Sequence, residues 1–172
     1  MNDIEYFKET LYKNSKGFVS LAFSKNEQWN EYIYRIKELG TQMTLFESTK
    51  NLNIYSSVNT FYNPKRNFEN LYSLNALFCD IDCVRHNISI KEAYKELVKL
   101  WISDIIPEPS LVINSGNGLH IYWYLETCYA STKNKVSFVP TYQALLNAFS
   151  KKLAFLGADF KTAEPSRVLG VP

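Results

Sequence analysis

The sequence predicts an α/β fold of the α+β kind, with helices packed against a mixed sheet. Segments of helical apolar spacing alternate with short runs of β-branched and aromatic residues along all 172 positions. Apolar residues make up 46% of the chain and aromatics 15%, which supplies a packed core and is far from a disordered composition. From residue 74 onward the order reads strand, helix, hairpin, helix, strand, an order that lays helices on a sheet.

The elements follow in turn. Ile4, Phe7, Leu11 and Tyr12 stand at helical spacing, so 3–13 is a first helix. Gly17 ends that region, and 18–23 reads as a short buried strand. Ser24 and Asn26 are caps for a second helix, with Trp29, Ile33, Ile36 and Leu39 on one face and Gly40 as its stop. A strand at 53–58 leads into a polar loop, 59–70, which carries Pro64, Lys65 and Arg66. The strongest strand signal is 74–83 (LNALFCDIDC). An amphipathic helix at 89–103 turns Ala93, Leu97, Leu100 and Trp101 inward, and Pro107 and Pro109 lie past it. Strands at 111–114 and 119–125 form a hairpin across Ser115, Gly116, Asn117 and Gly118. A helix at 142–156, closed by Gly157, and a strand at 167–171 complete the chain. The division falls at 72: residues 1–72 form an N-terminal α/β lobe and 73–172 a second lobe.

Nineteen basic and 17 acidic residues leave a formal charge of +2, so any phosphate-binding surface must come from local placement. No apolar run approaches the roughly 18–20 residues that span a bilayer. The N-terminus, MNDIEYFKETLYKN, lacks the basic-then-apolar order of a signal peptide. Three cysteines, an odd number, argue against a disulfide framework. These features predict a cytoplasmic protein with no membrane partner.

Three short patterns carry chemistry. In Asp80-Ile81-Asp82 the alternation of a strand sets both carboxylates on one face, where they repel unless a cation lies between them. Mg²⁺ or Mn²⁺ takes such hard oxygen ligands. A solvated strand end carries the same short pattern, but the preceding Leu77-Phe78-Cys79 marks this strand as buried up to its acids. In the second pattern, Ser115-Gly116-Asn117-Gly118-Leu119-His120, a glycine turn lets backbone N–H groups approach phosphate oxygens, although a plain hairpin reads the same way. His120 opens a strand whose aromatic residues, Tyr122 among them, suit base stacking as well as packing. The third pattern is Gly157-Ala158-Asp159 with Lys161 and Arg167, a carboxylate past a helix end followed by cations suited to a triphosphate. Lys65 and Arg66 are further candidates for a phosphate or template contact, with Asn59 at lower weight.

FCDIDC, then SGNGLHIYWYL, then GADFKTAEPSRVLGVP resemble the three successive motifs of the archaeo-eukaryotic primase superfamily. The chain is most similar to its primase–polymerases of plasmids and other mobile elements, a branch that NIYSSVNTFYNP also resembles. The resemblance implies an RRM-like catalytic core fused to the N-terminal α/β unit, with the active site in the cleft between them. It implies a template-directed primase–polymerase that joins (d)NTPs on a single-stranded DNA template and primer. Asp80, Asp82 and Asp159 would hold two catalytic metals, Mg²⁺ or Mn²⁺. His120 would contact the nucleotide phosphates with Ser115, Gly116, Asn117, Gly118, Lys161 and Arg167, while Lys65, Arg66 and Tyr122 would meet nucleic acid. Such proteins continue past the third motif into a helical domain and often a helicase, so the chain is expected to be a fragment or a minimal form that works with a replicative helicase.

Other readings differ in class. A non-catalytic RRM-like binder would stack bases on Tyr122, Trp123 or Tyr124 without needing three converging acids. A metal-dependent nuclease or cyclase uses paired carboxylates on a related sheet. Cys79, Cys83 and His86 have a zinc-like spacing but no evident fourth ligand. The glycine turn precedes a strand, where a dinucleotide site requires a helix. Neither histidine is paired on one element as a nicking enzyme requires.

Overall fold

A computed structural model of the chain describes residues 2–25, 28–47, 52–131 and 136–172. It has two antiparallel sheets and, among the described residues, four α-helices, an α+β fold. Two compact units divide the chain: one of Met1–Asn75, Leu125–Phe138 and Pro165–Pro172, the other of Ala76–Tyr124 and Val139–Glu164.

In the first unit, α1 (Asp3–Leu11) starts where the Asn2 side chain accepts the Glu5 N–H at 2.8 Å, and it buries Phe7 and Leu11. Tyr12 is buried beyond it and its hydroxyl donates to the Ser57 carbonyl. Gly17 then turns at φ +94°, where a Cβ would lie 2.3 Å from the Phe61 carbonyl oxygen, so only glycine serves. Strand β1 (Phe18–Lys25) buries Val19, Leu21 and Ala22. It pairs with β2 (Gln28–Arg35) on one side and β3 (Asn53–Ser57) on the other, and β7 (Val168–Gly170) adds to β3, giving the order β2-β1-β3-β7.

The sequence reading of a helix through Trp29 and Ile33 is corrected here: those residues form strand β2, paired along its length with β1. Trp29, Ile33, Ile36 and Leu39 fit a helical period, yet QWNEYIYR is rich in aromatic and β-branched residues, and the hydrogen bonds offered by β1 decide between the two. Asn26, read as a cap, lies outside the described residues. Helix α2 (Ile36–Glu47) begins only after the hairpin and runs through Gly40 instead of stopping there. A Cβ at Gly40 would lie 2.9 Å from the Lys8 Nζ, so the glycine makes room for a lysine of α1.

The second unit is a split β-α-β. Strand β4 (Ser73–Asp82) reaches into it and is followed by α3 (Ile90–Ile102), then β5 (Leu111–Asn114) and β6 (Gly118–Tyr129). The sheet order is β4-β6-β5. The expected mixed sheet is therefore antiparallel: β6 threads between β4 and β5, so the two strands joined by α3 never become neighbours. A capping box starts α3, Ser89 accepting the Glu92 N–H while the Glu92 carboxylate accepts the Ser89 N–H. Helix α4 (Val139–Lys152) packs Leu146 into the core, and the Tyr142 hydroxyl donates to the Ala76 carbonyl. Phe78, Ile81, Leu97, Ile121 and Tyr122 complete that core.

Candidate active site

Strand β4 is buried from Ser73 through Cys79, then alternates: Asp80 and Asp82 are half-exposed and Ile81 is fully buried. That alternation puts both acids on one face with Ile81 on the other. A second backbone runs alongside. The Asp82 N–H donates to the Gly157 carbonyl at 3.0 Å and the Asp159 N–H to the Asp80 carbonyl at 3.1 Å, around an antiparallel bridge between Ile81 and Ala158. This pairing sets Asp159 directly opposite Asp80, a position about 5.5 Å away between Cα atoms in a regular ladder. Opposed residues of an antiparallel pair share a face, so Asp80, Asp82 and Asp159 all lie on one side of this short ribbon.

Two glycines make the close approach possible. Gly157 turns at φ +97°, and a Cβ there would lie 2.7 Å from the Asp82 carbonyl oxygen and 2.9 Å from the His86 ring. On the other flank of β4, a Cβ at Gly118 would fall 1.7 Å from the Ile81 carbonyl oxygen. Both neighbours of the acidic segment thus approach as bare backbone.

His120, two residues along β6 from Gly118, is 8% exposed. Its Nε2 lies 3.6 Å from Asp80 Oδ1, which is ion-pair range once the ring is protonated and too long for a hydrogen bond. Asp82 Oδ1 accepts the Arg85 N–H at 2.9 Å. Asp159 Oδ1 accepts the Lys161 N–H at 2.8 Å, capping the one-turn 3₁₀ helix Phe160–Thr162. With Asp82 and Asp159 turned to these N–H groups, no three His, Cys, Asp or Glu side chains among the described residues are gathered into a metal-binding group. The donors and their shared face fit a hard divalent cation. Each N–H bond takes one oxygen, Oδ1, of Asp82 and of Asp159 and leaves the other oxygen of the carboxylate for a cation.

The remaining residues singled out in the sequence fall in different places. Ser115, Gly116, Asn117 and Gly118 form the β5–β6 turn, and the first three are exposed. The Ser115 N–H donates to the Gly118 carbonyl at 3.0 Å and the Gly116 N–H to Asn114 Oδ1 at 2.9 Å. Those two donors close the turn itself. Lys161 is exposed beside Asp159. Tyr122 is fully buried, which corrects its reading as a base-stacking residue, since no base reaches its ring. Arg167, Lys65 and Arg66 belong to the first unit. The Arg167 carbonyl accepts the Val58 N–H at 3.3 Å, Lys65 is exposed, and Arg66 grips Glu31 through Nε at 2.5 Å and Nη2 at 3.1 Å. That guanidinium holds the Glu31 carboxyl below its usual range. Asn59 is buried and structural, its amide donating to the Pro165 carbonyl and accepting the Asn75 N–H, both at 2.9 Å.

The zinc reading fares poorly. Burial pushes the Cys79 thiol up to about 12 and also raises Cys83, and no group of three His, Cys, Asp or Glu side chains that could hold a metal gathers around them among the described residues. Nor is any helix among the described residues long and apolar enough to cross a membrane.

Over 164 residues the chain is 27% identical to a Clostridium perfringens protein named replication protein. It is similar to a replication protein. The alignment takes in 95% of this chain and 38% of the relative, so the chain spans well under half of that protein's length. No family model matches the chain, and no solved structure matches it.

Sequence reasoning missed what supports the acids. The Arg85 N–H on Asp82 is a local turn contact, but the packing of Gly157 against His86 comes with the pairing of 80–82 and 157–159. That contact joins segments more than 70 residues apart and leaves no periodic trace. Gly118 was legible as a turn residue, but its contact with Ile81 was not.

Proposed function

We propose that this chain is the nucleotidyl-transfer core of a DNA replication protein, a primase–polymerase that adds (d)NTPs to a primer, or starts one, on a single-stranded DNA template. The observation that carries this reading is the backbone pairing that sets Asp80, Asp82 and Asp159 on one face with His120 beside them. Similarity to a protein named replication protein points the same way.

Asp80, Asp82 and Asp159 would hold Mg²⁺ or Mn²⁺, which in this chemistry lowers the barrier by stabilising the attacking 3′-oxygen and the departing pyrophosphate. His120, once protonated beside Asp80, presents a positive edge to a nucleotide's phosphates. The exposed Lys161 adds a second cation next to Asp159. Exposed Ser115 and Asn117 supply the polar groups of the turn. Template pairing selects the base, so the residues around the acids need no base-reading code.

Burial of Tyr122 and Trp123 removes two of the three rings on which a binding module would stack bases, and the third, Tyr124, is half-buried. The test is extension of a labelled primer on a DNA template with dNTPs and Mn²⁺ or Mg²⁺. Wild-type protein extends the primer only with metal, and the Asp80→Ala/Asp82→Ala variant does not extend it. Template cleavage in place of synthesis would move the chain to the nuclease class. Extension that survives the double substitution would remove the site from the acids named here.

A further inference from the structure

A polymerase must hold the strand it copies, and the sheet of the second unit buries Tyr122 and Trp123. An open aromatic surface exists instead on the first unit's sheet, at its edge strand β2. Trp29 lies opposite Ser24 of β1, and Tyr55 of β3 lies opposite Ala22. The two rings therefore meet over small residues of the central strand, with centroids 5.1 Å apart and planes inclined at 44°. Trp29 is 49% exposed, an unusual fate for the largest apolar side chain. Across the sheet, Phe23 and Tyr32 stack at 5.6 Å and 12°, so those rings spend a face on each other.

On the Trp29 face the next β2 residue is Glu31, and its carboxylate fixes the Arg66 guanidinium at two points while Arg66 also donates to the Ser166 carbonyl at 3.0 Å. A guanidinium held flat in this way is itself a stacking surface. Charge leans the same way: Lys25, Arg35, Lys65 and Arg66 belong to this hairpin or to the loop beside it, against Glu27, Glu31 and Glu69 of the same segments. Aromatic rings beside cations are what single-stranded nucleic acid binds, bases on the rings and phosphates on the cations.

We propose that Trp29 and Tyr55, with Arg66 alongside, form a stacking platform for the bases of single-stranded DNA. This rests on the polymerase reading for the identity of the strand and names residues apart from the acids. The platform takes any base, since every base offers a π-face, and it does not take duplex DNA, whose bases are already stacked.

The experiment is fluorescence anisotropy of a labelled 20-nucleotide oligo-dT with wild type, Trp29→Ala, Trp29→Phe, Tyr55→Ala and Asp80→Asn/Asp82→Asn. Trp29→Ala weakens binding about ten-fold or more, as base–aromatic stacking requires. Tyr55→Ala weakens it in the same direction, Trp29→Phe recovers most of the affinity, and the melting temperature of Trp29→Ala stays at the wild-type value. The double aspartate variant binds oligo-dT as wild type does. Failure of the wild type to extend a primer, with Trp29-dependent oligo-dT binding intact, therefore counts against the catalytic reading alone. The platform is overturned if wild type does not bind oligo-dT, or if Trp29→Ala binds it equally well. It is also overturned if wild type is a dimer that Trp29→Ala makes monomeric at unchanged oligonucleotide affinity.

Discussion

The Asp159→Asn variant extends a primer at no more than about one-hundredth of the wild-type rate, while melting at the wild-type temperature. The two halves of this expectation have separate causes. Asp159 caps the Phe160–Thr162 turn by accepting the Lys161 N–H, and an asparagine oxygen accepts the same bond. Folding therefore loses nothing. What disappears is the negative charge opposite Asp80, and with it one of three donors for a divalent cation. A primer-extension time course read beside a thermal melt separates these effects. A variant that melts early says Asp159 is structural, and one that extends normally says it is not a metal ligand.

Gly118→Ala destabilises the second unit by about 3–5 kcal/mol, enough to unfold a marginal domain. The added Cβ would lie 1.7 Å from the Ile81 carbonyl oxygen and 3.1 Å from the Cys83 nitrogen, and both are backbone atoms that no rotamer change moves aside. Gly116, in the same turn at φ +88°, has no atom within 4 Å of such a Cβ. Its substitution by alanine strains only the local backbone, by about 1–2 kcal/mol. Urea denaturation of the two variants in parallel gives the contrast. Equal losses would mean that β6 does not press against the acidic end of β4.

Much of the second unit was legible in the sequence because its patterns are local. The amphipathic helix at 89–103, the apolar run ending at Asp80-Ile81-Asp82 and the glycine turn before His120 are each written in neighbouring residues. The β2 strand was not legible, since Trp29, Ile33, Ile36 and Leu39 satisfy a helical period and only the pairing with β1 makes 28–35 extended. Arg66 shows a related limit. Its loop setting suggested a phosphate contact, but the bidentate pairing with Glu31, 35 positions away, cannot be read from composition. Burial of Tyr122 was hidden for the opposite reason: β6 is apolar on both faces, so alternation gives no sign of which face is open.

Asp80, Asp82 and Asp159 are proposed to bind a divalent cation for nucleotide chemistry. The most direct test is Mn²⁺ titration followed by electron paramagnetic resonance, with dNTP present, on wild type and on Asp80→Asn/Asp82→Asn. It needs no turnover, so it is informative even where a span covering 38% of its relative does not synthesise DNA. Wild type is expected to remove free Mn²⁺ signal beyond what the nucleotide alone removes, and the double variant is not. Equal Mn²⁺ uptake by the two proteins, or none beyond the nucleotide's own, would contradict the proposal.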